Sequence, residues 1–100
     1  GLNVYPAEVE NALQTLPGIA EAAVFGAPHP DFGEAVVAAV ESNAPETFDE
    51  AAAIARLRER LAAYKTPKRI LVTDALPRNP MGKLQKQTLR EAYGEIFTPG

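Results

Sequence analysis

The sequence predicts a single α+β domain, with a small mixed or antiparallel sheet of about three main strands covered by about three helices. Three observations predict it. Three stretches repeat apolar residues at helical spacing. Three others are short runs rich in Val, Ile, Leu, Phe and Ala. Nine prolines and seven glycines fall between them as punctuation. A chain of 100 residues buries roughly 60–70 % of its unfolded surface, enough for one modest core.

Residues 3–5 read as extended, and Pro6 suits the first position of a helix, where a missing N–H leaves no bond unmade. Val9, Ala12, Leu13 and Leu16 follow i, i+3, i+4, i+7, and Glu8 and Glu10 lie in the first turn, where the helix dipole favours negative charge. Pro17-Gly18 ends this helix. Residues 19–25 read as a strand and residues 26–33 as a turn on composition. Residues 35–40 are nearly all apolar, as expected of a strand covered on both faces. The two strands are expected to pair as an antiparallel hairpin. Thr47-Phe48-Asp49-Glu50 fits a capping box opening a second helix, with Ile54, Leu57 and Leu61 buried and Arg56, Arg58 and Arg60 mostly outward. Tyr64-Lys65-Thr66-Pro67 closes it, and residues 69–73 form a third strand. Residues 74–84 lack periodicity, but two prolines and a glycine hold them in a defined loop. Leu89, Ala92, Tyr93 and Ile96 place a third helix over 86–97.

Several chemistries are excluded. Cysteine is absent, which rules out disulfides and thiolate metal sites and fits a cytoplasmic protein. His29 is the only histidine and sits between two prolines, so neither a zinc cluster nor a Ser-His-Asp grouping is expected, and no metal site is predicted. The carboxylates are spread over separate elements, which leaves no acid pair. No apolar stretch approaches the ~18 residues of a membrane span. Gly1 begins directly on an element entrance without an initiator methionine, which suggests a segment of a longer protein. Charge is divided: residues 1–63 carry ten acids against three bases, while residues 64–100 carry seven bases against three acids. A positive half on an acidic chain points to an anionic partner or to a solvated face.

The segment Pro77-Arg78-Asn79-Pro80-Met81-Gly82-Lys83-Leu84 is the strongest chemical candidate. It is not a P-loop: Pro77 stands where G-x-x-x-x-G-K-[ST] needs its first glycine, and Leu84 where it needs a hydroxyl. What remains is Lys83 on a stiff turn permitted by Gly82, flanked by Arg78 and Lys86. A lysine there is a mobile point charge suited to anionic oxygens whose geometry changes during reaction. Spacing alone favours a plain surface lysine.

That segment resembles the C-terminal signature of adenylate-forming enzymes, P-[RK]-x-x-x-G-K-[ILV], at every position. Gly1-Leu2-Asn3-Val4-Tyr5-Pro6-Ala7-Glu8-Val9-Glu10 is similar to the segment after the family's interdomain hinge, G-x-x-[IV]-x-P-x-E-[IV]-E. Gly26-x-Pro28, Asp31-x-Gly33-Glu34 and Tyr64-Lys65-x-Pro67 follow in the family's order, so the resemblance covers the whole chain. It implies that residues 1–100 are the single C-terminal domain of an acyl-CoA synthetase whose large N-terminal domain, absent here, binds ATP, Mg²⁺ and the carboxylic acid. Lys83 would be the catalytic lysine of acyl-adenylate formation, carried on the Gly82 loop. After rotation of the small domain, Gly1, Leu2 and Asn3 would line the pantetheine tunnel for CoA. Of the positive half, Lys65, Lys68 and Arg69 are candidates to attract phosphates. The resemblance also makes Lys83 a target for a lysine acetyltransferase. The wording is most similar to malonyl-CoA synthetases, with fatty and aromatic acyl-CoA synthetases close behind. The alternatives are a peptide-synthetase adenylation domain and, from another class, a non-catalytic anion- or nucleic-acid-binding module. No nucleic-acid signature is present, and the fragment alone is expected to be inactive.

Overall fold

A computed structural model describes residues 4–98. It contains α1 (Pro6–Gln14), β1 (Ile19–His29), β2 (Gly33–Ser42), α2 (Glu50–Arg58), β3 (Arg69–Val72) and α3 (Lys86–Tyr93). Two single turns of 3₁₀ helix, Pro45–Thr47 and Ala63–Lys65, flank α2. The sheet order is β1-β2-β3, with β1 antiparallel and β3 parallel to the central β2. The α+β expectation is met, and the sheet is mixed. A parallel neighbour needs a crossover, and α2 supplies it.

Both faces of the sheet are covered, because β2 alternates its apolar side chains between two cores. Ala38 and Val40 meet Val9 and Leu13 of α1, Ala53 and Leu57 of α2, and Ile70 of β3. Val37 and Ala39 meet Phe25, Leu76 and Leu89 of α3. Each edge has one amide capped by a glutamate. On β1 the Val24 amide donates to Glu10 Oε2 at 2.8 Å, and on β3 the Ile70 amide donates to Glu50 Oε2 at 2.8 Å. Each glutamate comes from the helix packed beside its strand and occupies an edge amide that another chain could otherwise pair with. No helix among the described residues is long and apolar enough to cross a membrane.

Four boundaries differ from the sequence reading. The stretch 26–33 is mostly strand: β1 runs to His29, and only Pro30, Asp31 and Phe32 turn. Pro28 is tolerated because β1 is an edge strand, where a missing N–H costs no ladder bond. The cap of α2 is Asp49, whose Oδ1 accepts the Ala52 amide at 3.1 Å, whereas Thr47 lies in the preceding 3₁₀ turn. Glu50 faces β3 instead of reaching back to a cap. Leu61 is buried but lies past the end of α2, and α3 stops at Tyr93, leaving Ile96 and Phe97 to pack on the second core from a turn and Ala92 exposed. His29 serves as a structural residue: its Nδ1 accepts the Asp31 amide at 3.0 Å, and its ring lies against Phe32 and Phe97.

Candidate functional site

Residues 77–85 form a miniature hairpin tied to the start of β1 through Arg78 and Glu21. Its turn is Asn79-Pro80-Met81-Gly82, closed by the Gly82 amide donating to the Asn79 carbonyl at 2.8 Å. The residue types suit the geometry, with Asn opening a turn, Pro second, and a left-handed residue at its end. Gly82 has φ +85°, a conformation that costs a residue with a side chain roughly 1–2 kcal/mol. One antiparallel bridge, between Arg78 and Leu84, joins the arms. Leu84 is half-buried on the second core and anchors the returning arm.

Side chains supply the remaining support. Asn79 Oδ1 accepts the amides of Met81 at 3.0 Å and Lys83 at 2.9 Å. Arg78 donates through Nη1 to the Gly82 carbonyl and through Nη2 to Glu21 Oε2, both at 3.2 Å. Glu21 Oε1 in turn accepts Gln14 Nε2 at 2.8 Å, so the loop is tied through β1 to α1. Lys86, just beyond the hairpin, lies 2.8 Å from Glu10 Oε2.

These contacts alter the reading of the basic half. Lys65–Glu8, Arg69–Glu50, Arg78–Glu21 and Lys86–Glu10 each join a base after residue 63 to an acid before it. Much of the charge division is therefore answered inside the chain. Of the three candidates to attract phosphate, Lys65 and Arg69 are occupied, while Lys68 lies with Nζ 5.0 Å from the Phe32 ring centroid. The bonded Glu8 carboxylate holds the Lys65 ammonium above the usual lysine range. Lys83 is exposed, and among the described residues its ammonium has no carboxylate partner. The hairpin thus presents one unpaired cation between two neutralised ones.

Gly1, Leu2 and Asn3 lie outside the described residues. Their neighbours Val4 and Pro6, with Phe32, Glu34, Tyr64 and Lys68, line an open depression of about 740 Å³ that Lys83 does not reach. The sequence reading missed Asn79, for which the Asn-Pro dipeptide in a glycine-closed turn was the available signal. It also missed Glu21 and Glu10, whose partners are 57 and 76 residues away in the chain.

Among the described residues, no group of three or more His, Cys, Asp and Glu side chains is placed to hold a metal ion. The AMP-binding enzyme C-terminal domain family matches residues 8–83. The 3-[(3aS,4S,7aS)-7a-methyl-1,5-dioxo-octahydro-1H-inden-4-yl]propanoyl:CoA ligase of Rhodococcus jostii is 50 % identical over 91 residues, 91 % of this chain and 18 % of the ligase. The long-chain-fatty-acid–CoA ligase FadD13 of Mycobacterium tuberculosis is 43 % identical over 93 residues, 93 % of this chain and 18 % of that ligase. ATP-bound MatB from Rhodopseudomonas palustris superposes with a TM-score of 0.93 at 47 % identity, over 98 % of this chain and 20 % of MatB. The chain therefore spans about a fifth of the length of these relatives.

Proposed function

The chain belongs to the AMP-binding enzyme C-terminal domain family, and from that premise we propose that it is the mobile small domain of an ATP-dependent acid–CoA ligase. In this reading a large N-terminal domain of the same protein carries the ATP and acid pockets. The observation that carries the proposal is Lys83: an ammonium exposed on a braced hairpin and without a carboxylate partner among the described residues, in a segment that resembles the family's signature.

The chemistry follows in two steps. A carboxylate oxygen attacks the α-phosphorus of ATP, the bond to the β-phosphate oxygen breaks, and acyl-adenylate and diphosphate form. Negative charge shifts among oxygens throughout, and Lys83 stabilises it and orients the attacking carboxylate. The small domain then turns on its hinge and withdraws Lys83. The CoA thiol loses its proton, its sulfur attacks the acyl carbon, and AMP departs. Gly1, Leu2 and Asn3 are proposed to line the path of the pantetheine arm, with Lys68 the base left to meet phosphate. With no cluster of three or more metal-ligating side chains among the described residues, Mg²⁺ is assigned to the large domain.

Free CoA is favoured as acceptor over a carrier protein by the CoA ligases among the relatives. Malonate is the first acid to try, on the wording of the three motifs. Relatives of similar identity act on a fused-ring propanoate and on long-chain fatty acids, which agrees with an acid pocket outside this domain. The exposure of Lys83 also suits an acetyltransferase, and acetylation would remove the charge needed in the first step. A cytoplasmic setting goes with these substrates.

The test is Lys83→Ala in the full-length ligase, with the half-reactions assayed separately. Acid-dependent ATP–diphosphate exchange is expected to fall by about a hundredfold or more, while thioester formation from synthetic acyl-adenylate and CoA survives. Survival of both would overturn the reading.

A further inference from the structure

We propose that Asn79 is a positioning residue for Lys83, an inference that rests on the adenylation role given to Lys83 above. The hairpin has one bridge between its arms, so a strand ladder cannot fix the direction of its tip. Asn79 does this instead. Its Oδ1 accepts the Lys83 amide at 2.9 Å, and its own amide donates to the Lys83 carbonyl at 2.9 Å. The second of these bonds belongs to the Arg78–Leu84 bridge itself, and Gln85 Nε2 also donates to the Lys83 carbonyl at 3.0 Å, so what the Asn79 side chain adds through Oδ1 is the hold on the Lys83 amide. The same oxygen also accepts the Met81 amide at 3.0 Å, which draws the tip of the turn inward. Asn79 is half-buried, although Arg78 and Pro80 on either side are exposed.

The physical consequence is preorganisation. A lysine that enters and leaves an active site must arrive with its backbone already ordered, or each entry carries an ordering penalty. Fixing one residue corresponds to a factor on the order of ten. With Asn79 in place, only the four-carbon arm of Lys83 remains to be ordered, and the ammonium keeps its reach. Pro80 contributes by biasing Asn79 towards the extended conformation that such a turn needs at its first residue.

The experiment places Asn79→Ala, Asn79→Gln, Asn79→Asp and Lys83→Ala in the full-length ligase. It measures kcat and KM for ATP in ATP–diphosphate exchange, thioester formation from synthetic acyl-adenylate, and the melting temperature. Asn79→Ala is expected to lower exchange kcat about tenfold, with KM for ATP and thioester formation within about twofold. Asn79→Gln, which moves the oxygen by one methylene, should behave like Ala. Asn79→Asp keeps an acceptor in place and should recover most of the rate. A purely structural role would lower the melting temperature and both half-reactions together, and that result would overturn the proposal. Equal impairment of the Asp and Ala variants, or full exchange in Asn79→Ala beside an inactive Lys83→Ala, would overturn it alone. Full exchange in Lys83→Ala would remove the functional reading as well.

Discussion

Of the three glycines with positive φ among the described residues, Gly33 at +74° and Gly82 at +85° each lie in a hairpin turn, and each has open space where a Cβ would stand. Their supports differ. The first joins β1 to β2, which stay in register through nine residue pairs from Glu21 and Glu41 to His29 and Gly33, so the backbone ladder dictates the turn. The second closes a hairpin with one bridge, and side chains dictate it: the Asn79 carboxamide from within and the Arg78–Glu21 pair from below. A turn that serves the core can be specified by the strands it connects. One that must hold a charge away from the core needs a cradle of its own.

The comparison is tested most severely at its chemical end. Lys83→Ala, with a loss of about a hundredfold or more in exchange, sets the ceiling, and Asn79→Ala should follow at about tenfold. Next come the two glycines. Gly33→Ala should destabilise the domain by about 1–2 kcal/mol, because the ladder prevents relaxation. Calorimetry should show a drop of about 4–8 °C in melting temperature per kcal/mol. Gly82→Ala should lower it by less than half as much, since the lone bridge can give way, while exchange falls with the displaced Lys83. Equal melting shifts would erase the distinction between the turns.

The smallest effect belongs to a pair that supports neither turn. Glu8 raises the Lys65 pKa through their 2.9 Å bond. A raised lysine contributes stability below its unfolded pKa and loses it as pH climbs through the folded value. The loss therefore starts above about pH 10.5. Lys65→Met should flatten the decline of melting temperature between about pH 10 and pH 11.5, and an unchanged slope would show that the bond contributes nothing in solution.

How much of this was legible in the sequence depended on whether the signal was local. The apolar run at residues 35–40 predicted a doubly covered strand, and β2 is one, because burial on both faces leaves no polar alternation to confuse the pattern. Gly26-Ala27-Pro28-His29 predicted a turn and forms strand, because composition carries no information on whether a strand is an edge. Thr47 fitted a capping box by spacing, yet Asp49 is the cap, with φ −112° and ψ 102° and its Oδ1 accepting the Ala52 amide. At the site, a defined loop carrying Lys83 on a glycine-permitted turn was readable. The pairing of Arg78 with Glu21 and of Lys86 with Glu10 was not, because it depends on which elements the fold lays side by side.

Closure of the sheet on both faces, with Glu10 and Glu50 each taking an edge amide, has a mechanical consequence. A body with a packed core on each face of its sheet can swing against a neighbour as one rigid piece, without melting or refolding any part of itself. In the proposed ligase the pivoting step should then respond to solvent viscosity and to the tether, and very little to substitutions that soften the interior.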